Sequence, residues 1–273
     1  MNIIETINEA MSFVFMQRAM LVGIFIAVIS SVLGSFLVLK RYSLIGDGLA
    51  HVSFATVSLG LALGISPLFI SLPIVILASI LIMKLNEKAS LNGDASIGMV
   101  SSFSIALGVV IASKSQGFNI DVNSYLFGSI LAINKLDSYL SVIMSIVMIL
   151  LVYIFYQDLL AVTFDEEFSK VSGVNTSLTN YMLSILTSIT IVLGMRVLGT
   201  LLISSLIIFP TISSMQIARS FKSLQIIGVF ISVFSMAFGL IFSYILNIPS
   251  GPSIVIMNTL VFIVLYVIGK VIN

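Results

Sequence analysis

Cysteine and tryptophan are missing from this chain altogether, histidine occurs once, and charged residues make up only 8% of 273 positions. Each scarcity removes a class of function. Without cysteine there are neither disulfides nor thiolate metal sites. Twelve basic and eleven acidic residues leave a formal net charge of +1, so the chain offers no basic surface for nucleic acid. A G-x-x-x-x-G-K-[ST] phosphate loop is absent, since Gly269-Lys270 is followed by Val271 at the end of an apolar stretch. The longest polar interruption, 157–179, is too short for a soluble domain, which needs about fifty residues or more. One membrane domain, 1–273, is expected, and any ATP that drives it must be bound by a separate subunit.

What is present is apolar. Hydrophobic residues make up 59% of the chain and the mean hydropathy is +1.23, outside the range of water-soluble domains. Nine stretches read as spans, near 16–39, 44–64, 67–83, 95–113, 136–156, 178–195, 198–218, 223–246 and 252–268. At about 1.5 Å per residue each approaches a hydrocarbon core of about 30 Å, and none alternates as a barrel strand would. The expected fold is all-α and polytopic, in the cell (inner or plasma) membrane and surrounded by lipid. Residues 1–15 carry Glu5 and Glu9 and lack the basic start and cleavage site of a signal peptide; they read as an amphipathic interfacial helix. The patch 125–133 is too short to cross.

Orientation follows from the basic residues. Lys40, Arg41, Lys84, Lys88, Lys170, Arg219, Lys222 and Lys270 fall on one side of the nine-span scheme, and Arg18, Lys114, Lys135 and Arg196 on the other. The richer side is assigned to the cytoplasm, which places the amino terminus outside and the segment 157–177 inside.

Few residues could carry chemistry. Asp47 and His51 stand four apart in the least apolar span, so on a helix they share one face. If that helix starts near Ser43, His51 lies roughly 12 Å into the bilayer. A carboxylate beside an imidazole suits zinc, manganese or iron, and ionisable groups at that depth mark transport pathways. The same two residues also fit a structural role, Asp47 capping its helix and His51 bonding a neighbour. Two protein ligands make a weak site, which a conducting pathway needs. Further ligands would come from Ser53, Thr56 or an exposed carbonyl of the same chain, or from a second copy. Thr163-Phe-Asp-Glu166 has capping-box spacing and starts a short helix ending near Gly173. Arg196, between Gly194 and Gly199, fits a snorkelling side chain at a helix end. The run Ser204, Ser205, Pro210, Thr211, Ser213, Ser214 fits either a broken helix or packing by small residues. An intramembrane enzyme lacks support, because Asp47 and His51 have no H-E-x-x-H-like partner. A proton-coupled metal carrier could use the same pair without an ATPase, and a chelate importer would not need it.

Beyond these physical readings, Gly46-Asp47-Gly48-Leu49-Ala50-His51 followed by Leu59-Gly60 resembles the signature of the zinc/manganese permease family of ATP-binding-cassette importers. Asp94-Ala-Ser-Ile-Gly98, Tyr125-Leu-Phe-Gly128, the stretch 164–173, Arg196-Val-Leu-Gly199 with Pro210, and Pro249-Ser-Gly251 are similar to family landmarks in the same order. The resemblance implies a homodimer around a central pathway, two cytoplasmic ABC ATPase subunits below it, and an extracytoplasmic metal-binding protein that delivers zinc or manganese. No permanent cofactor is implied; the ion is the cargo. Asp47 and His51 match the family's metal-contacting pair. Asp165, Glu166, Glu167, Phe168, Ser169 and Gly173 match its segment for docking the ATPase. Ser169 stands where alanine is usual, Gly48 likewise, and Phe54-Ala55-Thr56 replaces Leu-Pro-Gly.

Overall fold

The structure, a computed structural model, describes residues 3–89, 93–114 and 135–272, and all regular structure among them is helical. In chain order the helices are α1 (Ile3–Ser12), α2 (Val14–Leu39), α3 (Ile45–Leu63), α4 (Pro67–Ala89), α5 (Gly93–Lys114) and α6 (Lys135–Ile154). They continue as α7 (Tyr156–Phe164), α8 (Glu166–Val171), α9 (Thr176–Leu198), α10 (Thr200–Met215), α11 (Phe221–Leu246) and α12 (Ser250–Ile272). The patch 125–133 and the Tyr125–Gly128 landmark lie outside the described residues.

Local sequence explains where the helices stop. Gly64 takes φ +67 after α3, so its N–H reaches Leu61 O while that of Ile65 reaches Gly60 O, and α4 then begins on Pro67. A left-handed glycine at the end and a proline at the first helical position are the usual pair of signals. Ser220 and Ser223 bond each other's backbone and start α11.

Among the described residues seven helices are long and apolar enough to cross a membrane, or eight if the bent pair α6–α7 counts as one span. The expected nine is corrected at two places. The stretch 136–156 ends its helix at Ile154 and turns by 68° into α7. The stretch 198–218 contains a break: Gly199, at φ +88, ends α9 and begins α10. Sixteen residues give α10 a length of about 24 Å, short of the hydrocarbon thickness. Hydropathy reports burial or lipid contact along a run, not whether the backbone stays helical through it. Gly194 packs against Ile203 across the turn. The amino-terminal helix forms as expected over Ile3–Ser12, and α2 follows after Phe13.

Buried residues concentrate on α2 and α9, while α4, α5 and α12 keep most of their surface open. Small residues allow the central contacts. At Gly34 of α2 a Cβ would stand 2.2 Å from Ile207 O of α10, so the two backbones touch there. Gly228 of α11 similarly sits against Ser31 and Pro210 O. The Ser204–Ser214 run lies within the unbroken α10, the break at Gly199 preceding it, so of its two expected roles the close packing on small neighbours is the one seen. At one end of the bundle Phe36 meets Phe221 at a tilt and Phe164 meets Phe221 edge-on, with ring centroids 5.1 and 5.8 Å apart, linking α7 to α2 and α11. At the other end Phe13 meets Tyr244 at 6.2 Å.

Candidate functional site

The helix carrying the acidic and imidazole groups is entered through a tight corner. After Leu39 the chain passes Lys40 and Arg41, the latter at φ 62, a region uncommon for a residue with a side chain. The N–H of Tyr42 returns to Leu37 O at 2.9 Å, and that of Ile45 to Tyr42 O at 3.0 Å. The Tyr42 hydroxyl accepts from the Asn86 amide of α4, and Gly93, at the start of α5, packs on the Tyr42 ring. Four helices therefore share this corner.

From it α3 rises with Asp47 in its first turn. His51 Nε2 lies 3.4 Å from Asp47 Oδ2. Gly46, Gly48, Leu49 and Ala50 are buried against neighbours, whereas Asp47 and His51 point to the open side of α3. Gly48 is needed for that packing, since a Cβ there would meet Ile97 Cγ2 of α5 at 2.5 Å. Asp47 is a residue of the first turn rather than the cap, which is Leu44 with no side-chain cap bond. The capping role weighed for Asp47 is thereby corrected.

Neither same-chain hydroxyl joins the pair. Thr56 is nine residues on, about 180° around the helix, and Ser53 about 120° away. Thr56 Oγ1 is buried, donating to Ser53 O at 2.8 Å and hydrogen-bonded to the Ser71 hydroxyl at 2.7 Å. Ser53 is fully buried between α3, α4 and α9, beside a small cavity lined with Val57, Ser71 and Met195. Among the described residues no group of three or more His, Asp or Glu is placed to hold a metal.

The second candidate segment folds locally as expected, with one correction. Asp165, not Thr163, is the cap of α8: its carboxylate accepts from the Phe168 N–H at 2.9 Å. Thr163 belongs to α7, and its hydroxyl donates back to Leu159 O. Gly173, at φ +89, ends α8, its own N–H reaching Lys170 O and that of Val174 reaching Ser169 O. Ser169 is buried, whereas Phe164, Phe168 and Val171 are exposed. Glu167 is exposed too; Glu166, with 46% of its side chain open, is nevertheless engaged, with Lys40 and Asn180 as partners. The sequence offered no local signal for that engagement, because Lys40 is 126 positions away. The side chain of Arg196 lies outside the described residues.

The family model described as the ABC 3 transport family matches residues 12–269. The chain belongs to that family. As a member of the ABC 3 transport family it is a multi-pass membrane protein of a transport system. Among its relatives, the manganese import system permease protein ScaB of Streptococcus gordonii is 31% identical over 97% of this chain and 95% of its own. The high-affinity zinc uptake system membrane protein ZnuB of Haemophilus influenzae is 32% identical over 90% and 94%. Among solved structures, PsaBC from Streptococcus pneumoniae in complex with Fab has a TM-score of 0.86 at 28% identity, covering 97% of this chain and 95% of that one.

Proposed function

We propose that this ABC 3 family member is the membrane-spanning subunit of an ATP-driven importer of a divalent transition-metal ion, zinc or manganese. Asp47 and His51 contact the ion in transit, and the segment 164–173 docks a separate cytoplasmic ABC ATPase. An extracytoplasmic metal-binding protein delivers the ion. The observation that carries this reading is the Asp47–His51 pair on the open face of α3, 3.4 Å apart and flanked by buried neighbours. A purely structural histidine would turn inward to a partner.

A divalent ion in transit takes about four to six ligands including water, and this face offers two. With Ser53 and Thr56 turned away, the remaining protein ligands come from a second copy of the chain across a twofold axis, the commonest closed symmetry. Relatives at 31% and 32% identity are named for manganese and for zinc, so resemblance does not choose the metal. The general affinity order favours zinc.

Zinc, manganese and iron uptake compared side by side in cells with and without this chain tests the proposal. Loss of zinc or manganese uptake on deletion, restored by the wild-type chain and not by Asp47→Ala, is the expected result. Equal uptake of all three ions with and without the chain would overturn it.

A further inference from the structure

Lys40 is the last residue before the corner that leads into α3, and it is buried, with 8% of its side chain exposed. A lysine so placed costs several kcal/mol in desolvation unless it is paired. Its ammonium lies 3.4 Å from Glu166 Oε2 of α8 and donates to the Asn180 side-chain oxygen of α9. Asn180, itself buried, donates its amide N–H to Glu166 Oε1 at 2.9 Å. Three groups, at the end of α2, in α8 and in α9, thus close a ring in which each is bonded to the other two.

The ring matters because α8 is otherwise loosely held. It is a six-residue helix whose only buried residue is Ser169. Its apolar side chains Phe168 and Val171 are exposed. On the other side of the ring, Lys40 stands seven residues before Asp47, joined to it by the corner that Tyr42 ties to Asn86 and Gly93.

We propose that Glu166, Lys40 and Asn180 form a clasp that passes displacement of α8 to the start of α3, and so to Asp47 and His51. Glu166, with 46% of its side chain open, is then a positioning residue within the docking segment, acting through Lys40 and Asn180 rather than through contact with the ATPase. The inference rests on the proposed function, since it takes α8 as the ATPase dock and the Asp47–His51 face as the ion pathway. It adds the connection between them.

The clasp has a chemical symmetry that makes it testable. Asn180 offers one donor and one acceptor side, so flipping its amide lets it serve a ring in which the charges are exchanged. The test uses the full-length chain co-purified with its ATPase and reconstituted in vesicles, with manganese and zinc as probes. Uptake per ATP hydrolysed is measured for Lys40→Met, Glu166→Gln, Glu166→Lys and the double variant Lys40→Glu/Glu166→Lys. Glu166→Gln keeps size and the Asn180 contact, so it remains informative should Lys40→Met fail to fold.

The expected result is that each single variant keeps its ATPase subunit while uptake per ATP falls between about 5- and 100-fold, the usual range of coupling between sites. The double variant regains most of the ratio. Such a rescue would not follow from a role in docking, where the Glu166→Lys change would weaken ATPase association in both backgrounds. Loss of ATPase association in Glu166→Gln, an unchanged ratio in the single variants, or no recovery in the charge exchange each overturns the clasp. A wild-type chain that retains no ATPase or carries neither ion would instead overturn the proposed function.

Discussion

Asp47 Oδ2 and His51 Nε2 stand 3.4 Å apart on consecutive turns of α3, with 52% and 29% of their side chains open while the four other residues from Gly46 to Ala50 are buried. The helix is therefore anchored by small and apolar residues, and its ionisable pair is free to meet something that is not part of the same chain. The open ionisable face and the packing that holds the helix are thus separate.

That separation predicts the behaviour of His51→Ala. Its removal leaves no cavity, so the unfolding midpoint in detergent should stay close to wild type, within the roughly 0.5 kcal/mol typical of open positions. Uptake should fall at least about 10- to 100-fold, the scale seen on weakening a metal site. Wild-type uptake in a well-folded His51→Ala protein would remove His51 from the pathway.

The contact between α2 and α10 is backbone on backbone at Gly34, where a Cβ would stand 2.2 Å from Ile207 O. Gly34→Ala should destabilise the protein by about 1–3 kcal/mol, since neither helix can yield without moving its neighbours. Gly23 provides the contrast. There the first atom met is the terminal methyl of Met236, at 1.9 Å, and a methionine can change rotamer. Thermal unfolding of both variants should show the smaller loss for Gly23→Ala.

At the short α8 helix, Phe168 and Val171 are the exposed apolar side chains. Replacing both with Asp should sharply reduce co-purification of the ATPase without lowering thermal stability. Gly173→Val should act through shape instead, because φ +89 is poorly accessible to a β-branched residue. Asp165→Ala removes the cap and should cost α8 about 1 kcal/mol, loosening the dock rather than abolishing it. Full ATPase retention in all three variants would place the dock elsewhere.

Because the chain has no natural cysteine, single introduced cysteines report directly on pairing. Leu44→Cys and Met99→Cys, exposed on α3 and α5, should cross-link two copies in membranes, whereas Val52→Cys, buried within one copy, should not. Native mass spectrometry in detergent should show the dimer. A monomer competent for uptake at one copy per vesicle would favour a carrier built from a single chain.

Much of the fold was legible in the sequence because lipid imposes a strong rule: backbone groups must be satisfied within each span, so long apolar runs become helices. All nine expected stretches carry helix. What failed was continuity, at Phe155 and Gly199, where the chain remains apolar but changes direction. The candidate residues were legible for a related reason, since an Asp and the one His are conspicuous in a chain with 8% charge. Their four-residue spacing fixes their shared face once the helix is granted.

Which neighbours those faces meet was decided only by tertiary structure. Ser53 and Thr56 were equal candidates for the pathway until packing turned them toward α4, where Thr56 bonds Ser71. Glu166 and Glu167 are adjacent and identical in chemistry, yet one enters a ring with Lys40 and Asn180 while the other stays open. Periodicity is a local property, carried by 3.6 residues per turn, and it assigns a side chain to a face of its own helix. Contacts between Lys40 and Glu166, 126 positions apart, depend on how the helices pack, which no local spacing encodes.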